Sequence, residues 1–188
     1  MKLRTAVLPF AAAAIVCGCA TPSPAPYAVA VLEPTRGNTA AGTVFLRQDG
    51  AQVSLRGKVT GLKPNQEHGF HIHEKGDCSS GDGMSTGGHL NPDGKPHGPP
   101  AAEHHAGDLP ALKADANGNA DVRMRVTGTV LGSGAGDLAG KALIVHVAPD
   151  DYVTQPTGNS GARIACGVVS TAAGHDASGK PVAIPKDL

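Results

Sequence analysis

The stretch Val53-Ser-Leu-Arg-Gly-Lys-Val-Thr60 decides the fold class of this chain. Val53, Leu55, Gly57 and Val59 alternate with Ser54, Arg56, Lys58 and Thr60. That period of two belongs to a strand with one buried and one wet face. Just upstream, Asp49-Gly50 is a hairpin turn signal that joins it to a strand over residues 42–47. Residues 27–32 begin the series, and Gly61-Leu-Lys-Pro-Asn65 turns into a strand over residues 67–73. Further on, Asp115-Ala-Asn-Gly118 turns into the alternating residues 120–126, and residues 131–140 form a Gly-rich connection. Residues 142–147 are almost continuously apolar, which marks a central buried strand carrying His146, and residues 163–170 form the last strand. Short strands without a convincing amphipathic helix imply an antiparallel β-sandwich or barrel.

Composition supports one domain of this kind. The 188 residues contain 26 Gly and 15 Pro but only three Phe, two Tyr and no Trp, which suits many turns and no large aromatic core. Lys plus Arg and Asp plus Glu both number 16, and no basic run points to nucleic acid.

The first nineteen residues read as a leader rather than as fold. Lys2 and Arg4 precede an apolar run over residues 6–16 that is too short to span a bilayer. It ends in Val16-Cys-Gly-Cys19-Ala20, similar to a bacterial lipoprotein box with Cys19 as the lipidated residue; an ordinary signal cleavage near Ala20 is the competing reading. Loss of Lys2 and Arg4 with the leader takes 16 basic residues to 14 against 16 acidic ones, a net charge of −2. Residues 20–28 form a Pro-rich tether, residues 29–170 the domain, and residues 171–188 a weakly patterned tail containing a surface histidine, His175. Export places the chain in an oxidising compartment, periplasmic or elsewhere in the cell envelope. Without Cys17 and Cys19, the remaining cysteines are one pair, Cys78 and Cys166; two unpaired thiols are the alternative.

Between the strands lie two long irregular segments, residues 76–109 and 148–162. Loops of this length in a compact domain are functional or disordered. Residues 69–108 hold six of the nine histidines: His71, His73, His89, His97, His104 and His105. His71 and His73 are two apart on a strand and leave the same face, so both reach one ion. His89, His97 and His105 with Asp108 supply three nitrogens and a carboxylate, a donor set zinc accepts. His146, from a distant strand, completes a nitrogen-rich site suited to copper(II). Seven groups serve two four-coordinate ions only if one histidine is shared. Spacing does not choose between His104 and His105, and His68 reads as structural.

The motifs Gly69-Phe-His-Ile-His73, Gly88-His-Leu-Asn-Pro92, His105-Ala-Gly-Asp108, Val145-His146 and Gly161-Ala-Arg-Ile-Ala-Cys-Gly167 together resemble the copper/zinc superoxide dismutase family over residues 27–170. The resemblance implies an all-β Greek-key antiparallel β-sandwich or barrel, immunoglobulin-like, with two long functional loops. That architecture is the one already assigned to the family and is not a product of the periodicity. It implies copper on His71, His73, His89 and His146, and zinc on His89, His97, His105 and Asp108, with His89 as the bridge. Asp150 is then the carboxylate linking a copper histidine to a zinc histidine. Cys78–Cys166 is the loop-anchoring disulfide, and Arg163 the arginine that attracts the superoxide anion. The implied activity is dismutation of superoxide to dioxygen and hydrogen peroxide by alternating Cu(II)/Cu(I) redox. The segment from Ser79 to Gly87 is closer to bacterial exported members, whose homodimer contacts differ from the eukaryotic pattern. The loop over residues 147–162 contains no Lys, so the charged guidance this loop usually supplies is largely missing, and Lys75 or other cations are the expected substitutes. A non-catalytic metal carrier of this family is expected to lack copper ligands or the arginine, yet all are present. A purely structural zinc-stapled sandwich leaves His71, His73 and His146 unexplained.

Overall fold

The computed structural model describes residues 27–171 together with residues 180 and 182. The expected leader, Cys19, residues 20–26 of the tether, His175 and most of the tail lie outside the described residues. Nine strands are present among them: β1 Tyr27–Pro34, β2 Ala41–Asp49, β3 Gln52–Thr60, β4 Glu67–His68, β5 Phe70–His73, β6 Leu112–Lys113, β7 Ala120–Val126, β8 Ala142–His146 and β9 Arg163–Ser170. One 3-10 turn, Met84–Thr86, interrupts the first long loop.

Seven strands form one curled antiparallel sheet in the order β5-β8-β9-β1-β2-β3-β7. After the β1–β2–β3 meander the chain crosses to the far edge for β5 and returns to lay β7 beside β3. It crosses again for β8, and β9 closes against β1. This is the Greek-key path of an all-β half-barrel. The two-stranded β4–β6 ladder joins the chain just before β5 to the chain just before β7, so it ties the two sheet edges together. Barrels remove exposed edges in this way.

The alternation in β3 holds except at Ser54, which is buried: Val53, Leu55 and Val59 enter the core with Leu32, Val44, Leu46 and Val122. In β8 every residue is buried, because Leu143 and Val145 face that core while Ala142 and Ile144 pack with Cys166 on the opposite side. Full burial of a Val, Leu or Ile side chain contributes about 1.5–3 kcal/mol. The second face of β5 and β8 is roofed by the long loops, and that face carries the histidines.

Beyond extensions of β1, β2 and β3 by one or two residues, three points of the sequence reading are altered or decided. Tyr27 and Ala28, read both as the end of the tether and as the start of the first strand, are strand residues, because they pair with Arg47 and Leu46 and Ala28 is fully buried. The strand expected over residues 67–73 splits at Gly69, where the chain changes partners. His68 pairs with Leu112, whereas Gly69 donates to Ala148 O at 2.8 Å. The third is the end of β8. It stops at His146, where a register shift sets Arg163 opposite His146, and Val147 bonds instead to Ala162. Such bulges re-aim side chains next to functional sites.

Candidate metal centre

β5 is the template of the site. His71 and His73 alternate with the core residues Phe70 and Ile72 and leave on the other face, under the first long loop. Two pieces of that loop lie along the strand: Leu90 donates to Ile72 O at 2.8 Å, Ile72 to Gly107 O at 2.9 Å, and Gly107 to Leu90 O at 2.9 Å. A Cβ at Gly107 would run into the Ile72 carbonyl, so only glycine permits this approach. These bonds place His89 beside His73 and Asp108 beside His71.

The result is two buried groups with one member in common. His71, His73, His89 and His146 form the first, and His89, His97, His105 and Asp108 the second; within each, the ligand atoms lie within 4.8 Å of one another. Six imidazole nitrogens in these groups are buried without a hydrogen-bond partner: His71 Nδ1, His73 Nε2, His89 Nε2, His97 Nδ1, His105 Nδ1 and His146 Nε2. Two of these, His97 Nδ1 and His105 Nδ1, come within 3.0 Å and 3.2 Å of Asp108 Oδ1 without hydrogen-bond geometry. Orphaned buried polar atoms are costly. Six of them converging on two points fit two bound cations. The shared ring is oriented for both: His89 Nδ1 lies 2.7 Å from Asp108 Oδ1, and its Nε2 is the free nitrogen on the other side.

The nitrogens not aimed at these points are held. Asp150 Oδ2 lies 2.6 Å from His71 Nε2 and its Oδ1 2.9 Å from His97 Nε2, so one carboxylate joins the two groups. His73 Nδ1 donates to Gly87 O at 2.9 Å and His146 Nδ1 to Gly161 O at 3.0 Å. Bonds of this kind fix ring orientation and tautomer. Of the adjacent pair, His105 enters the second group, while His104 stays outside it, half-buried and bonded through Nδ1 to His105 O at 2.6 Å. His68 belongs to neither group; its Nδ1 donates to His146 O at 2.8 Å and steadies β8.

Burial keeps the rings of His71, His73 and His146 neutral. Desolvation, then repulsion from neighbouring imidazoles, depresses His146 to about 3 and His73 to about 2. Desolvation also takes His71 down to about 4, against the opposing hydrogen bond to Asp150. Burial pushes the carboxyls of Asp108 and Asp150 up, but their histidine and backbone N–H partners outweigh it and hold both below the usual range. Neutral imidazoles and ionised carboxylates are the protonation states metal binding needs.

Arg163, at the start of β9, is tied to the first group through the Gly87 carbonyl that His73 also uses. Its Nη1 donates to Gly83 O at 2.6 Å and Thr86 Oγ1 at 2.8 Å, and its Nη2 to Gly87 O at 2.7 Å. The loop making these contacts is stapled three residues further along β9 by the Cys78–Cys166 disulfide. Gly83, Thr86, Gly87 and Gly161 were not foreseen from sequence. Three of them act through backbone carbonyls, which every residue has, and Thr86 carries no signal beyond its place before Gly87.

Comparison with known proteins agrees with this geometry. A family profile described as copper/zinc superoxide dismutase (SODC) matches residues 40–169. A superoxide dismutase [Cu-Zn] 2 of Brassica juncea is 42% identical over 149 residues, 75% of this chain and 95% of that protein. Among solved structures, the clock protein EA4 is 37% identical with a TM-score of 0.71, covering 81% of this chain and 98% of that one. A SOD-like protein from Bacillus subtilis is 39% identical with a TM-score of 0.67, covering 74% and 95%. The fold and the paired histidine groups define a two-metal oxidoreductase scaffold. This chain belongs to the copper/zinc superoxide dismutase family.

Proposed function

We propose that the two histidine groups are the copper and zinc sites of this superoxide dismutase, sharing His89. His71, His73, His89 and His146 hold copper, and His89, His97, His105 and Asp108 hold zinc. The six unpartnered, converging imidazole nitrogens carry this reading. When bound, copper supplies the Cu(II)/Cu(I) couple that oxidises one superoxide to dioxygen and reduces the next to hydrogen peroxide, while zinc has no redox chemistry.

The residues do the rest. Asp150 fixes the rings of His71 and His97, one from each group, through the nitrogens turned away from the metal positions. His89 Nε2 is the atom of the shared ring that faces the copper group, and it is where a proton is held for transfer to the peroxide product. Arg163 holds a fixed positive charge whose three acceptors lock its direction, and it orients the superoxide anion. Lys75, two residues beyond His73 and bonded through its N–H to Thr86 O at 3.0 Å, adds positive charge to the same rim.

The finer reading places the enzyme in the bacterial cell envelope, held by lipid on Cys19, with a homodimer as the assembly. Superoxide decay with protein loaded with copper and zinc, with copper alone, and with equal free ions tests the central claim. Loaded protein is expected to exceed the free-ion control; equality ends the proposal.

A further inference from the structure

The outward face of β2, β3 and β7 gathers five cations that form no run in the sequence. The strand register does this. Arg56 lies directly opposite Arg123, Ser54 lies between Arg47 and Arg125, and Lys58 is opposite Asp121. Asp49 pairs with Arg47 at 3.1 Å. Among the described residues no carboxylate forms an ion pair with Arg56, Lys58, Arg123 or Arg125. Like charges directly opposite in a ladder destabilise it. The chain has 16 basic and 16 acidic residues, so this face is a local excess and not a reflection of overall charge.

A further observation points to a ligand. A groove of about 320 Å³ lies over β3 and β7, lined by Ser54, Leu55, Arg56, Arg123, Met124 and Arg125. Three guanidinium groups and a hydroxyl around one groove match the oxygens of a phosphate group.

We propose that this face seats the phosphate groups of an anionic lipid surface. The chain's own path favours that occupant over others. Tyr27 begins β1 directly opposite Arg47, so the preceding 26 residues join the domain at this end of the face. Residues 20–26 extend to about 25 Å at most, which keeps the groove within reach of a membrane holding Cys19. The orientation rests on that anchor; the groove does not. A second copy of the chain would bring the same cations face to face.

The test uses the full chain with Cys19→Ser, so that lipid does not dominate, and vesicles of phosphatidylcholine with or without phosphatidylglycerol. Three forms are compared on that background: the parent, Arg56→Gln/Arg123→Gln/Arg125→Gln, and the corresponding triple Lys variant. The parent is expected to bind the anionic vesicles at low salt and to lose binding as salt rises. The Gln form is expected to bind them on the order of 100-fold more weakly, and the Lys form to retain most of the binding. Superoxide dismutase activity, read in all three, is expected to be unchanged and reports folding. Equal binding by parent and Gln forms overturns the proposal. So does binding to inorganic phosphate or to an RNA homopolymer with no preference for anionic vesicles. Failure of the anchor reading shows separately. The unaltered chain and its Cys19→Ser form, both made in a lipidating host, would then bind phosphatidylcholine vesicles identically.

Discussion

Arg163 and His73 share one hydrogen-bond acceptor, the carbonyl oxygen of Gly87, at 2.7 Å and 2.9 Å. The arginine proposed to orient the substrate and a histidine of the proposed copper group are therefore held by the same peptide. Arg163→Lys keeps a positive charge but loses the fork that satisfies Gly83, Thr86 and Gly87 together. Turnover at limiting superoxide is expected to fall roughly tenfold in Arg163→Lys and further in Arg163→Ala. Metal content, read by elemental analysis of the same samples, is expected to stay at the parent level. Loss of copper alongside the rate would contradict a role confined to the anion.

The two groups are separable by mutation except where they are joined. His146→Ala removes a donor from the copper group alone, so copper is expected to be lost and zinc kept; Asp108→Ala should do the reverse. Asp150→Ala removes the carboxylate shared by His71 and His97. Affinity for both metals is expected to fall about 10- to 100-fold. Chelator competition on each variant checks all three outcomes.

The disulfide closes a loop with a sequence separation of 88 residues. Chain entropy gives roughly 4–5 kcal/mol for a loop of that length, an upper figure if the unfolded chain is structured. Cys78→Ser with Cys166→Ser is expected to lower the denaturation midpoint of the metal-loaded enzyme. It is also expected to reduce activity, because the stapled loop supplies the carbonyls that direct Arg163. Full activity in a destabilised double variant would separate the two roles.

Acid should unfold the metal-free protein early. The folded pKa of His71 is about 4, of His146 about 3 and of His73 about 2, against 6.5 for an unperturbed histidine. Between those values the unfolded chain binds protons that the native chain does not, so stability declines as pH falls below about 6.5. His71 alone contributes a loss on the order of 3 kcal/mol once pH is below its folded value. The depressed Asp108 and Asp150 add a loss in the same direction below about pH 4. Urea midpoints of chelator-treated protein from pH 7 to pH 4 should fall steadily. Metal-loaded protein should resist until protons displace the ions. A flat profile for the metal-free form would mean that the rings are solvated and not desolvated.

The strands were legible because their signal is local. Alternation in β3 and β7 and the apolar run of β8 follow from which face of each residue meets the core, and neighbouring residues carry that information. The donor types were legible too, since few buried structures need so many imidazoles in one stretch. The split at Gly69 and the pairing of Leu112–Lys113 with Glu67–His68 were not, because a two-residue strand exists only through its partner.

By itself the sequence determined an all-β domain, the residues able to hold two metals, and the pair of cysteines. Tertiary structure decided which nitrogen of each ring is free, and it set His105 rather than His104 in the cluster, a choice that spacing left open and the family resemblance implied. It also decided that Arg163 is aimed by three acceptors, and that Arg56, Arg123 and Arg125 meet on one face. The physical reason is common to all four. Each depends on backbone carbonyls or strand register from distant parts of the chain, and neither leaves a mark in the local choice of side chain.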